Sequence, residues 1–342
     1  MRPVKMQKLG GTDAFIVFDL EGAPYNVGVT RLAPKILVDG ATLLARSTTY
    51  LFASFEQQAG GASAGINAKP DGRAEAIAAF VEEVTPLAAS GTFLTEPGRG
   101  LSAEDLGPVL AADPRVGLPH DEARVLLGHG AAVAASAAVG DLSGRTIAVE
   151  GLDAATASVL TELAARGATI VAASTTAGTV RAAAGLDAAA LAAAIGERGA
   201  SAVEGFGPEV EPAGAVLAAE ADVLFAGSKP GVIDHDVAAT VQARAVVPIA
   251  PVPVTAKALA ALRRAGVIVL PDFIAASGPM FGAFPDDGAT LADVRDRVEA
   301  EIAGALAEVL EHEDGPLLGA CYRAEAYLQT WQDELPFGRP LA

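Results

Sequence analysis

The chain has 342 residues, 51% of them hydrophobic but only 5% aromatic, and a formal net charge of −18. That length allows two domains with ample core, and the acidity, with no run of Lys or Arg, excludes nucleic acid and acidic membrane surfaces as expected partners. The lone Cys321 excludes an intrachain disulfide and any multi-cysteine metal site; MRPVKMQKLGGTDAF has no apolar signal core and alanine runs such as 131–139 are too short to cross a bilayer, so a soluble cytoplasmic protein without a metal is expected.

In chain order, AFIVFDL (14–20) and PYNVGVTRL (24–32) alternate with turn residues as half-buried strands do. Residues 38–55 have helical periodicity, AGGASAGI (59–66) reads as a Gly-rich turn, and 73–89 reads as a helix followed by the loop TEPGRGLSAEDL. Residues 123–139 read as a long alanine helix joining two domains. From 145 onward TIAVEG, TIVAAS, ADVLFAG, AVVPIAP and VIVLPDF alternate with helices near 154–166, 187–197 and 255–265. That alternation predicts a parallel sheet covered on both faces. The tail, 289–313 and 317–331, is helical.

Residues 147–175 have the strand–turn–helix–strand order that opens a dinucleotide-binding unit. Such a unit carries Gly-x-Gly-x-x-Gly at its turn and an acid at the end of the second strand. Here the turn is Gly151-Leu152-Asp153-Ala154-Ala155-Thr156, and the second strand runs into Thr175.

Taken in order, several segments resemble the glutamate/leucine/phenylalanine/valine dehydrogenase family in its shorter, leucine-type form. Gly28-x-Thr30-Arg31 resembles Gly-Gly-Thr-Arg, and Leu44 to Tyr50 resembles the LARxMTYK helix. Gly60 to Ile66 resembles GGxKGGI, and Gly178 with the following GLDAAAL resembles SSG…GLD. Pro253, Thr255 and Ala258 fit GANxPTTxxA, and LPDFIAASG (270–278) resembles PDxxANAGG. The resemblance implies two domains and reversible conversion of an amino acid to a keto acid and ammonia, with hydride passing to NAD or NADP. It also implies two lysines, one to bind the substrate carboxylate and one to activate water, and an aspartate for proton transfer.

Those positions hold other residues. The lysine positions, twelve apart, are Leu51 and Ser63, and the aspartate position is Gly98. Glu96 and Arg99 stand near enough in sequence to take a shifted role. On the cofactor side Gly151 remains, but Asp153 and Thr156 replace the second and third glycines and Thr175 replaces the ribose-binding acid. A carboxylate facing a pyrophosphate at about 4 Å costs about 4 kcal/mol at an effective dielectric of 20, against at most ~2 kcal/mol from a helix terminus. Pro251 and Ala276 stand where the family has asparagines.

Plainer roles compete at each site. Asp153 is a favoured N-cap for a helix starting at Ala154. Ser63 has no His near it in sequence and reads as a turn residue. His120, His129, His235 and His312 lack ligand spacing and read as solvated or locally bonded. Asp272 either faces an interdomain cleft or caps a loop, Lys229 is the foremost remaining cation at a strand end, and Cys321 reads as buried.

The expectation is therefore an α/β protein of two domains. Residues 1–132 with returning helices over 311–342 form a substrate-type and oligomerisation domain, and 133–310 form a Rossmann-like, doubly wound domain. The function expected is that of a catalytically silent relative of amino-acid dehydrogenases acting as a structural or regulatory subunit, in a homo-oligomer or beside an active relative or another enzyme. No cofactor is expected, with NAD or NADP only if the degenerate site still holds it. Against this stand a repurposed enzyme or small-molecule binder using Glu96, Arg99, Lys229 and Asp272, and a working dehydrogenase with substitute residues.

Overall fold

The computed structural model describes residues 4–342, and the side chains of all of these but residues 120 and 121. The chain divides into two compact units, residues 1–115 with 321–340, and residues 116–320 with 341–342.

The first unit is built on a five-stranded sheet of order β1-β2-β4-β3-β5. Its strands are β1 (Lys5–Lys8), β2 (Ala14–Phe18), β3 (Asn26–Ala33), β4 (Gly60–Asn67) and β5 (Leu94–Pro97). β1, β2 and β4 run antiparallel in turn, while β4, β3 and β5 are mutually parallel. Every residue of β2 is buried, because Ile16 and Phe18 enter a core with Phe80 and Val84 of α2 (Arg73–Ala89), whereas Phe15 and Val17 pack with Ala41 and Ala45 of α1 (Val38–Ser54). The expectation of half-buried strands thus fails for β2, which lies between two helical layers.

The segment 59–66 is not a turn but the central strand β4, paired on both sides. Its glycines serve close approach: a Cβ on Gly61 would lie 1.8 Å from the carbonyl oxygen of Ala45, and one on Gly28 would lie 1.6 Å from that of Ala62. Glycine here lets α1 press onto the sheet, a use that resembles turn chemistry in sequence. The segment 321–340 returns to this unit, where Glu325 accepts from Tyr50 at 2.9 Å and pairs with Arg339. Buried Arg46 pairs with Asp19 at 2.7 Å and donates to the carbonyls of Phe337 and Gly338.

The second unit carries a six-stranded sheet of order β11-β10-β9-β6-β7-β8. The strands are β6 (Thr146–Val149), β7 (Thr169–Thr175), β8 (Gly178–Arg181), β9 (Val223–Ala226), β10 (Ala245–Pro248) and β11 (Ile268–Val269). All neighbours are parallel except β7 and β8, which form a hairpin absent from the sequence reading. The chain moves outward from β6 through β7 on one side and from β9 through β10 on the other, so its switch point lies between β6 and β9.

The expected domain boundary at 132 falls inside one continuous helix, α4 (His120–Val139). This helix belongs wholly to the second unit, where it packs on α5 (Ser158–Ala165), α10 (Gly278–Ala283) and α11 (Leu291–Val309). Its small residues explain the packing. Ala131, Ala132, Ala134 and Ala135 are fully buried, and a Cβ on Gly128 would come within 2.4 Å of the Ser158 carbonyl oxygen. A polar cluster ties three of these helices: Glu162 of α5 binds Arg295 of α11 through two hydrogen bonds, and His129 of α4 meets the Arg295 carbonyl at 3.1 Å.

Candidate functional site

The turn after β6 is where a dinucleotide-binding unit would meet its phosphates. Gly151 has φ +83, and a Cβ there would stand 2.4 Å from the Ser228 nitrogen, so only glycine fits. The residues after it form a closed polar ring. Asp153 Oδ1 accepts from the amides of Ala155 (2.8 Å) and Thr156 (3.0 Å), while Thr156 Oγ1 accepts from the Asp153 amide at 2.8 Å. This is the reciprocal capping pattern, applied to the turn 154–157 that leads into α5, which itself starts at Ser158 rather than Ala154.

Across the switch point lies a carboxylate that the sequence reading missed. Glu150 is 5% exposed, and its Oε2 accepts from the amides of Gly227 (2.9 Å) and Ser228 (3.0 Å) at the end of β9. The signal available was an acid directly after the apolar run Ile147–Val149. Thr175 is buried at the end of β7; its hydroxyl donates to the Ala200 carbonyl at 2.6 Å and accepts from the Ala177 amide at 3.2 Å. The amides of Ala155, Thr156, Gly227 and Ser228 at this end of the sheet are thus bound by the chain's own carboxylates, and no acid stands at 175.

Asp272, left between two roles, caps a loop: it is 3% exposed and its Oδ2 accepts from the Val252 amide at 3.0 Å. Val252 has φ +55, a left-handed conformation costly for a β-branched side chain, and the Asp272 carboxylate helps hold it. Lys229 is exposed, three residues beyond β9.

In the first unit, register sets Ser63 of β4 and Glu96 of β5 on either side of Val29. Ser63 is a fully buried strand residue, not a turn residue, and its hydroxyl reaches the Val29 carbonyl at 3.4 Å. Leu51 is half-buried on α1. The Gly98 amide donates to the Thr30 carbonyl at 2.8 Å, and a Cβ there would come 3.0 Å from that oxygen and from Arg31 Cγ. Glu96 pairs with Arg115 at 3.1 Å, and Arg115 also binds Asp113. Burial alone would lower the Arg115 pKa, but Asp113 and Glu96 outweigh it and hold the guanidinium above its ordinary value. Glu96 is thereby engaged by an arginine nineteen residues on, which sequence proximity did not suggest. Arg99 is exposed and lines a cavity together with Arg31.

His129 is 4% exposed within the cluster described above, and His312 Nδ1 accepts from the Asp314 amide at 3.1 Å. The His120 side chain lies outside the described residues. Exposed Asp234, His235 and Asp236 could gather around an ion, but Asp234 already caps the short helix α7 (His235–Ala238) by accepting from the amides of residues 236 and 237. Cys321 is fully buried.

No helix among the described residues is long and apolar enough to cross a membrane. Residues 127–283 match the family model described as Glutamate/Leucine/Phenylalanine/Valine dehydrogenase. A curated relative, NADP-specific glutamate dehydrogenase A1 of Halobacterium salinarum, is 37% identical over 139 residues. That match spans 40% of this chain and about a third, 33%, of the relative's length. Among solved structures, a hetero-hexameric glutamate dehydrogenase from Thermus thermophilus in its leucine-bound form superposes with a TM-score of 0.78 at 23% identity, covering 96% of this chain and 89% of that one. L-tryptophan dehydrogenase from Nostoc punctiforme gives a TM-score of 0.65 at 18% identity, covering 97% of each chain. Residues 127–283 are thus similar in sequence to the glutamate/leucine/phenylalanine/valine dehydrogenases, and nearly the whole chain shares the fold of the glutamate and tryptophan dehydrogenase structures.

Proposed function

We propose that this chain is a catalytically silent relative of amino-acid dehydrogenases that acts through assembly, as a structural or regulatory subunit. The observation that carries the reading is the turn after β6, where Asp153 takes the amides of Ala155 and Thr156 and Glu150 takes those of Gly227 and Ser228. A dinucleotide's pyrophosphate would have to displace these carboxylates from the same end of the sheet, against like charge. These residues do not fit NAD or NADP, and no hydride step is assigned. Leu51, Ser63 and Gly98 supply neither positive charge nor a proton-transfer group, so the charges that develop in deamination would find no partner.

Assembly is supported by the company the fold keeps, since one structural relative is described as a hetero-hexamer. β2 and β3 are interior strands, and the sheet ends on β1 and β5. β1 is a mostly exposed edge strand, with Met6 42% exposed, and becomes the candidate contact. The subunit would work in the cytoplasm, in the compartment expected from the sequence. The deciding experiment is calorimetric titration of the full chain with NAD and NADP, together with a nicotinamide absorbance assay over amino acids at alkaline pH. Silence in both supports the reading; a dissociation constant of micromolar order or measurable turnover would sink it.

A further inference from the structure

In the first unit, the C-terminal ends of β3, β4 and β5 border a cavity of about 700 Å³. Arg31, Lys35, Arg73 and Arg99 line it, together with the start of α1 at Leu37 and Gly40. Among the described residues no acidic side chain lines it, although the chain holds 42 acids against 24 lysines and arginines. The concentration of one sign therefore runs against composition.

The four cations differ in their commitments. Arg73 is held by Asp105 through two hydrogen bonds of 3.0 and 2.6 Å and donates to the Gly100 carbonyl. Arg31 has no such partner: its Nε and Nη2 are buried and find no acceptor among the described residues. Those two donors share one edge of the guanidinium, the edge that makes a two-point pair with an oxyanion. Burial, and after it the charge of Arg99, hold the Arg31 pKa below its ordinary value. The group thus carries desolvation and repulsion with nothing on that edge to offset them. Lys35 and Arg99 are exposed. The N-cap of α1, Leu37, makes no side-chain cap bond to the first amides of this 17-residue helix; Asp39 in the first turn is exposed.

We propose that this cavity binds a small phosphate monoester, its dianionic head placed among Arg31, Lys35 and Arg99 beside the first turn of α1. A tetrahedral dianion accepts from donors arriving in several directions, whereas a planar carboxylate is satisfied by one fork. The cavity volume leaves space for an organic body beyond the phosphate. The proposal uses no residue of the β6 turn and stands apart from the silent-enzyme reading.

The test is calorimetric titration of the full chain with glycerol phosphate and with inorganic phosphate, using glycerol and succinate as controls. Saturable binding of glycerol phosphate is expected, tighter than inorganic phosphate, with no heat from glycerol and weaker binding of succinate. Arg99→Glu, at an exposed position, should weaken binding by about tenfold or more. Arg31→Lys keeps the charge but removes the fork and should also weaken it, with an unchanged melting curve showing that the fold is intact. Absence of saturable binding to both phosphates, or binding indifferent to both substitutions, overturns the site. Succinate binding as tightly as glycerol phosphate overturns the phosphate assignment.

Discussion

Asp153 and Thr156 cap each other: the aspartate carboxylate accepts from the threonine amide at 3.0 Å, and the threonine hydroxyl accepts from the aspartate amide at 2.8 Å. Two positions that would be glycines in a dinucleotide-binding turn have become one hydrogen-bonded unit. Asp153→Ala should therefore cost stability, about 1 kcal/mol as for a lost N-cap, read as a lower denaturation midpoint. The same variant should gain no NAD binding in calorimetry, because Glu150 still occupies the β9 amides and Thr175 supplies no carboxylate.

Restoring family lysines should not restore chemistry. Ser63 has no exposed surface, so Ser63→Lys puts an unpaired charge inside the sheet and should destabilise by roughly 3–5 kcal/mol, measured by chemical denaturation. Leu51→Lys sits on a half-buried helix position and should be tolerated. The double variant should remain inactive toward leucine, valine, phenylalanine and glutamate in an absorbance assay, and turnover would show that the assigned register is wrong.

Acid should loosen the α4–α5–α11 cluster in a defined window. Burial pushes Glu162 up, but the His129 ring and Arg295 pull it down further, to about 2, from an ordinary value of 4.5. A depressed carboxyl contributes stability that is fully present above the unfolded pKa and lost as pH falls through the folded one. Thermal midpoints of the wild type and Glu162→Gln should differ most above pH 4.5 and converge toward pH 2. A constant difference across that range would remove Glu162 from this role.

If the protein acts through assembly, light scattering of the isolated chain should give at least a dimer, and Met6→Glu on the β1 edge should shift it toward monomer. A heteromer predicts weak self-association but recovery of a partner chain from cells. A strictly monomeric mass at high concentration with no partner recovered would count against assembly.

Much of the fold was legible because strands and helices alternate with clear periods, and each helix read from the sequence between 38 and 331 stands close to its expected place, whereas the short helices at 107–111, 235–238, 272–275 and 278–283 went unread. The failures share a cause. β4 looks like a turn because its glycines Gly61 and Gly65 answer to Ala45 and Phe15, neighbours far away in sequence. β8 is a four-residue hairpin strand, too short for a periodic signal. At the candidate sites, residue identities could be read but not their partners: Arg115 for Glu96, Val252 for Asp272, and Ser228 for Glu150 are long-range or loop pairings that no spacing announces.

The buried alanines of α4 have a thermal consequence. Alanine loses no rotamer freedom on burial but removes little apolar area from water per residue. A core layer built from Ala131, Ala132, Ala134 and Ala135 gains its cohesion from close backbone contact more than from hydration. Because the heat-capacity change of unfolding follows exposed apolar area, this unit should fall below the usual ~12–15 cal/mol/K per residue. Its stability curve should then be shallow, holding nearly level through the cold where leucine-packed cores begin to weaken.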